Sequence, residues 1–193
     1  MSGIVKRIAV YCGSSPGADP AFADTARRLA QAMAERGIGL VYGGGRLGLM
    51  GIVADTILAA GGTAYGVIPK ALIDLEVAHT GLTELHTVTT MHERKAKMTE
   101  LTDAFIALPG GIGTLDELFE AWTWNALGYH AKPFCLLNAQ NFWDGMIGFL
   151  DHVTESGFMS AARRAQLLVA SDVGEAIDKL GAATGAAEAK MVW

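Results

Sequence analysis

Three times in this chain an apolar run stops at a glycine cluster that opens into a helical pattern. Ile4–Tyr11 leads into CGSSPG, Gly39–Tyr42 into GGGRLGLMG, and Ala104–Leu108 into PGGIGT. Such a chain alternates strands with helices, which predicts an α/β fold: a parallel sheet with helices on both faces, in three layers. Ligands of such sheets sit beyond the carboxyl ends of the strands, near the point where strand order reverses. The three glycine loops all follow strands, so they are expected to converge on one edge. A strand, a glycine turn and a helix start form a ready anion site, because backbone N–H groups approach a phosphate and the helix dipole favours negative charge.

The remaining pattern fills in the same alternation. Asp19 and Pro20 open a helix with Phe22, Leu29 and Met33 on one stripe, closed by Gly37. Further helices are expected over Ile52–Ala60, from Thr90 to Leu101, over Thr114–Leu127, Phe142–Glu155 and Val173–Leu180. Strands are expected at Thr63–Ile68, Leu82–Val88, Pro133–Leu137 and Gln166–Ala170. Ala71–Gly81 reads as an irregular segment over the sheet edge. At 193 residues, with no linker or repeat, the chain reads as one nucleotide-binding domain over 1–180 and a frayed tail over 181–193.

A net charge of -5 argues against nucleic acid as a partner, since such proteins carry a basic stripe. No apolar run is long enough for a membrane span, and Lys6 and Arg7 before a short strand do not make a signal peptide. Two cysteines in strand-like runs, Cys12 and Cys135, read as buried thiols in a reducing compartment, with the cytoplasm as the default. The five histidines have no metal-site spacing, so neither a metal nor another cofactor is expected.

Gly43, Gly45 and Gly48 fit G-x-G-x-x-G, a weak signal alone. The next strand ends in Ile68-Pro69-Lys70, without the acidic residue that would hold a ribose diol, which argues against NAD. The loop is either a close-packed turn or a phosphate contact. PGGIGT lacks the lysine of a Walker loop. Thr114-Leu-Asp-Glu117 has the form of a capping box, in which Glu117 would bond the Thr114 N–H; the alternative is a catalytic carboxylate. Leu115, Leu118, Phe119 and Trp122 form a stripe expected to face the sheet. Glu117, Trp124 and Leu127 then fall on the far side, which suggests a subunit interface. In MHERKAKM, Arg94 shares a helical face with Met91, Met98 and Leu101. An inward arginine needs a partner, either a structural ion pair or a phosphate or carboxylate at a site. Thr90 and Glu93 read as a structural capping box, and Lys97 as solvated. Ser14 and Ser15 are phosphate or hydroxyl contacts at most.

PGGIGTLDE resembles the P-G-G-x-G-T-x-x-E signature of the Lonely Guy family, and MHERK its M-H-x-R-K motif. YGGGRLGLMG, AVYCGSSPG and WTWNALGYHAKP also match that family's patterns, over residues 5 to 160. The resemblance implies a Rossmann-like homodimer that hydrolyses the N-glycosidic bond of a nucleoside 5′-monophosphate, giving a free cytokinin base and ribose 5-phosphate, with AMP as a further substrate of some members. Carried over by motif, Arg94 and Glu117 are the catalytic pair. Glu76, Arg94, Lys95, Gly111, Ile112, Gly113, Thr114, Leu115, Asp116, Glu117 and Thr123 contact substrate. Gly13, Ser14 and Gly44 on the other two loops complete that set. Two competing expectations are a nucleotide-binding module without useful catalysis, and the lysine decarboxylase that the family's other label suggests, although nothing marks a pyridoxal phosphate lysine.

Overall fold

The computed structural model describes residues 5–75 and 77–190, with residues 186–190 by their backbone alone. Seven strands form one sheet: β1 (Arg7–Tyr11), β2 (Gly39–Tyr42), β3 (Ala64–Pro69), β4 (Glu84–Val88), β5 (Ala104–Ala107), β6 (Phe134–Leu137) and β7 (Leu167–Ala170). Every neighbouring pair is parallel, in the order β4-β3-β2-β1-β5-β6-β7. The chain winds outwards from β1 to β4, then returns to pair β5 with the other side of β1. The switch point therefore lies between β1 and β5, where the loops CGSSPG and PGGIGT emerge.

The helices are α1 (Pro20–Glu35), α2 (Gly48–Ala59), α3 (Met91–Leu101), α4 (Ile112–Ala126), α5 (Asp144–Glu155), the short α6 (Ala161–Arg164) and α7 (Val173–Lys190). Side chains along each strand point alternately to the two faces, and the central strands are buried on both. Ile8, Val10, Leu40, Ile106 and Leu137 pack with α1, α2 and α7 on one face. Ala9, Tyr11, Val41, Phe105 and Leu136 pack with α3, α4 and α5 on the other. This is the three-layer α/β arrangement expected from the sequence. Among the described residues no helix is long and apolar enough to cross a membrane.

Local chemistry sets several helix ends. Asp19 caps α1 by accepting from the Ala21 N–H, with Pro20 at the first helical position. Thr90 and Glu93 form the reciprocal capping box at the start of α3. Several boundaries differ from the sequence reading, among them the start of α2, at Gly48 where Ile52 was expected. Helix α4 begins at Ile112, with the extended Gly111 as its N-cap. The Thr114 capping box is therefore absent, because Thr114 already lies inside the helix. Helix α7 continues from Leu180 to Lys190 through an alanine-rich stretch, consistent with the high helix propensity of alanine. The expected strand start at Ile4 lies outside the described residues.

An aromatic row runs across the α3–α4–α5 face. Tyr11 stacks on Phe105 at 5.7 Å between ring centroids, and Phe105 on Phe134 at 5.0 Å. His130 sits against Phe105 at 5.6 Å. Burial, helped by the nearby Lys132 charge, lowers the His130 pKa from 6.5 to about 4. The unfolded chain therefore binds this proton first on acidification, so stability is fully present above pH 6.5 and is lost as pH falls towards 4. The substitution His130→Asn is expected to flatten the stability–pH curve in that window, measured by urea denaturation at stepped pH. An unchanged slope would contradict a buried neutral histidine.

Candidate active site

The three glycine loops meet at the carboxyl edge of the sheet. The Gly13 N–H donates to the Pro109 carbonyl at 3.1 Å, and the Leu49 N–H to the Gly13 carbonyl at 3.0 Å. The contacts are close enough to require glycine. A Cβ on Gly48, whose φ is +57°, would lie 2.3 Å from the Ser14 carbonyl carbon; one on Gly110 would lie 2.1 Å from the Thr114 hydroxyl. Gly111, Ile112 and Gly113 are exposed at the start of α4, where peptide N–H groups lack helical partners. Ser14 is exposed beside them, and Gly13 is buried beneath.

Arg94 enters this edge from the first turns of α3. It is only 3% exposed. Its Nε donates to the Val67 carbonyl at 3.1 Å and its Nη2 to the Gly43 carbonyl at 2.8 Å. Its Nη1 lies 3.9 Å from the Met91 sulfur. A Cβ on Gly43 would sit 2.1 Å from Nη2, so the glycine leaves the notch in which the guanidinium lies. Gly43, Gly44 and Gly45 are buried, and the Gly44 carbonyl accepts from the His79 N–H at 2.9 Å. The triplet is a close-packed turn that seats Arg94, with Gly44 facing protein backbone.

Glu117 is half-buried, three residues after the buried Thr114 and four before the buried Ala121. It thus borders the inward face of α4. The sequence stripe placed it on the far side; the buried face is in fact Thr114, Leu118, Ala121 and Trp122. Leu115 and Phe119 are only half-buried, so the helix is turned towards its threonine side. The charge of Glu117 is felt at the end of β1. Burial first, then Glu117, pushes the Cys12 thiol up; burial, Glu117 and Glu120 do the same to the Tyr11 hydroxyl. Arg94 is anchored to carbonyls at β2 and β3, and the charge of Glu117 reaches the end of β1.

Lys95 is 9% exposed. Its ammonium contacts Asp116 at 3.1 Å and pairs with Glu120, both on α4. Thr123 is exposed one turn further along. Glu76 lies outside the described residues; after it, the Arg46 N–H donates to the Val77 carbonyl, and Gly45 bridges Ala78. His79, 5% exposed, completes the clamp through Nε2 to Asp55 on α2 at 2.9 Å. The sequence reading singled out Gly43 as part of a glycine motif but missed its contact with Arg94, and it missed Glu120 and the Asp55–His79 clamp; these are non-local contacts without a local spacing signature.

Parallel strands reversing at β1 and β5, with glycine loops at the reversal, define a Rossmann-like fold. Two solved structures share it. The molybdenum cofactor carrier protein of Chlamydomonas reinhardtii superposes with a TM-score of 0.70 at 21% identity, over 93% of this chain and 98% of that one. The molybdenum cofactor binding protein of Rippkaea orientalis gives 0.68 at 22%, over 90% and 93%. The profile of the family described as "Possible lysine decarboxylase" matches residues 50–180. The chain is 46% identical over 173 residues to the cytokinin riboside 5′-monophosphate phosphoribohydrolase of Rhodococcoides fascians, covering 89% of this chain and 87% of that protein. It is 44% identical over 188 residues to the rice enzyme of that name, LOG, covering 97% and 78%. The chain belongs to this family, the Lonely Guy family.

Filling the notch at Gly43 must displace a buried cation from its carbonyl partners. Gly43→Ala is expected to cost at least about 2 kcal/mol, read as a shift in the urea midpoint. An unchanged midpoint would mean that the guanidinium does not depend on this seat.

Proposed function

We propose that this chain hydrolyses the N-glycosidic bond of an adenosine 5′-monophosphate carrying an N6 substituent, and of AMP itself, to the free base and ribose 5-phosphate. The observation that carries this reading is the placement of Arg94 and Glu117 on one sheet edge beside the exposed N–H groups of Gly111–Gly113. The names of the relatives supply the reaction class.

The substrate phosphate docks on the α4 N-terminus, with Ser14 and Thr114 nearby, where the helix dipole favours it. That leaves the ribose between Glu117 and Arg94. As the C1′–N9 bond breaks, its electron pair leaves with the base, which takes up a proton. The sugar becomes oxocarbenium-like. The Glu117 carboxylate stabilises that cation and accepts a proton from the water that adds to C1′. Arg94, fixed by two carbonyls, holds the ribose phosphate portion and Glu117 in register. Thr123 and the segment carrying Glu76 complete the contacts. The names of the relatives favour the hydrolase over the decarboxylase of the family description.

The assembly in this reading is a homodimer. A groove of about 400 Å³ along α4 and α5 is lined by Phe119, Trp122, Thr123, Phe158 and Met159. Phe158 is 88% exposed and Leu127 66%, a costly surface to leave in water. The unpaired thiols of Cys12 and Cys135 fit a reducing compartment, and the cytoplasm is the proposed location.

Glu117→Gln is expected to slow ribose 5-phosphate release by about 10²-fold or more with the circular dichroism spectrum unchanged. Turnover at the wild-type rate would remove Glu117 from the chemistry. Comparing AMP with isopentenyl-AMP in the same assay identifies the base. In sedimentation, the wild-type chain is expected to run as a dimer and Phe158→Glu as a monomer; a monomeric wild type would contradict the interface.

A further inference from the structure

Lys95 invites reading as a cation for the substrate phosphate, because it follows Arg94 and lies at the same edge. Its contacts point elsewhere. Asp116 Oδ2 lies 3.1 Å from its Nζ, and Glu120 pairs with it more closely still. The pair is sheltered: the Lys95 side chain is 11% exposed and that of Glu120 16%, whereas Asp116 is open to solvent. Glu120 Oε1 also lies 3.5 Å from His92 Nδ1 on α3. The ammonium charge is thus already met by two carboxylates, and a phosphate would have to displace one of them. Both carboxylates belong to α4 and the lysine to α3. The residues joined are the immediate neighbours of the two that matter. Arg94 precedes Lys95, and Glu117 lies between Asp116 and Glu120.

We infer that Lys95, Asp116 and Glu120 form a staple between α3 and α4 that fixes Glu117 relative to Arg94, so that Lys95 and Glu120 are positioning residues for the reaction and not substrate contacts. The inference rests on the hydrolase reading above. The physical case is one of rigidity and charge. Arg94 is fixed to the sheet through the carbonyls of Val67 and Gly43. Glu117 rides on α4, which starts after the extended Gly111 with no side-chain cap. The staple ties that helix to the element carrying Arg94. A misplacement of about 1 Å between reacting groups costs up to about 10²-fold in rate. The lysine also offsets negative charge on the three acidic residues of α4. Removing it leaves Glu120 sheltered and unpaid by its main partner, one turn from Glu117.

The test is a double-mutant cycle on Lys95→Met and Glu120→Gln, with Lys95→Arg as the conservative variant. Each protein is assayed for ribose 5-phosphate release from AMP and for AMP affinity by calorimetry. Lys95→Met is expected to lower kcat by about tenfold to a hundredfold with the AMP dissociation constant within about threefold of wild type. Glu120→Gln is expected to lower kcat in the same direction, and the double variant to be no worse than Lys95→Met alone, because both remove one contact. Lys95→Arg keeps the charge and is expected to restore most of kcat. If Lys95→Met does not fold, Glu120→Gln and Lys95→Arg carry the same comparison. A Lys95→Met that weakens AMP binding by tenfold or more while Glu120→Gln matches wild type would overturn the staple and make Lys95 a substrate contact. Wild-type kcat in both single variants would overturn it as well. A wild-type chain that releases no ribose 5-phosphate would instead overturn the hydrolase reading, and the staple's catalytic role with it.

Discussion

A guanidinium buried to 3% exposure needs carbonyl partners and a space to lie in, and the site is built around giving Arg94 both. The carbonyls come from Gly43, just after β2, and from Val67 within β3. The space comes from the missing Cβ of Gly43. Because an uncompensated buried cation is strongly destabilising, the glycine triplet, β3 and the start of α3 have to fit together. The reciprocal cap at Thr90 and Glu93 sets where α3 starts, and hence where Arg94 falls on its first turns.

The second half of the site depends on the topology. Reversal of the strand order at β1 and β5 opens a crevice between their loops, and close glycine contacts bring those loops within hydrogen-bond distance. The N-terminus of α4 then faces the crevice with its N–H groups exposed, and Glu117 follows on the border of the buried face. In the proposed reading, the α4 N-terminus as anion seat, the Glu117 carboxylate and the fixed Arg94 cation form the set that glycosidic cleavage of a nucleotide calls for. Its transition state carries positive charge on the sugar while the phosphate remains negative.

Much of this was legible in the sequence because it is local. The strand–glycine–helix alternation predicts the sheet, and the inward face of Arg94 follows from helical spacing. The Thr90 cap is a spacing signature that the structure contains. What misled was also local. Thr114-Leu-Asp-Glu117 has the form of a capping box, yet an extended Gly111 starts the helix earlier and buries Thr114. The hydrophobic stripe gave nearly the right face of α4, turned too far, because Thr114 and Ala121 count as core in the fold while Leu115 and Phe119 pack at its margin, half-buried. The alanine-rich end of the chain reads as a tail by composition but continues α7 as helix. Contacts between distant segments left no pattern: Lys95 with Glu120, Asp55 with His79, and Arg94 with the Gly43 carbonyl emerge only when the elements are packed.

The most direct test of the central claim, that one edge holds the phosphate while Arg94 and Glu117 act on the glycosidic bond, is product identification. Wild-type protein is incubated with AMP and with isopentenyl-AMP, with phosphorus followed by NMR and free base by chromatography. The account predicts that phosphorus passes from nucleotide to ribose 5-phosphate, still esterified, with one base released for each. Inorganic phosphate and nucleoside as products, or nucleotide left intact over hours, would contradict it.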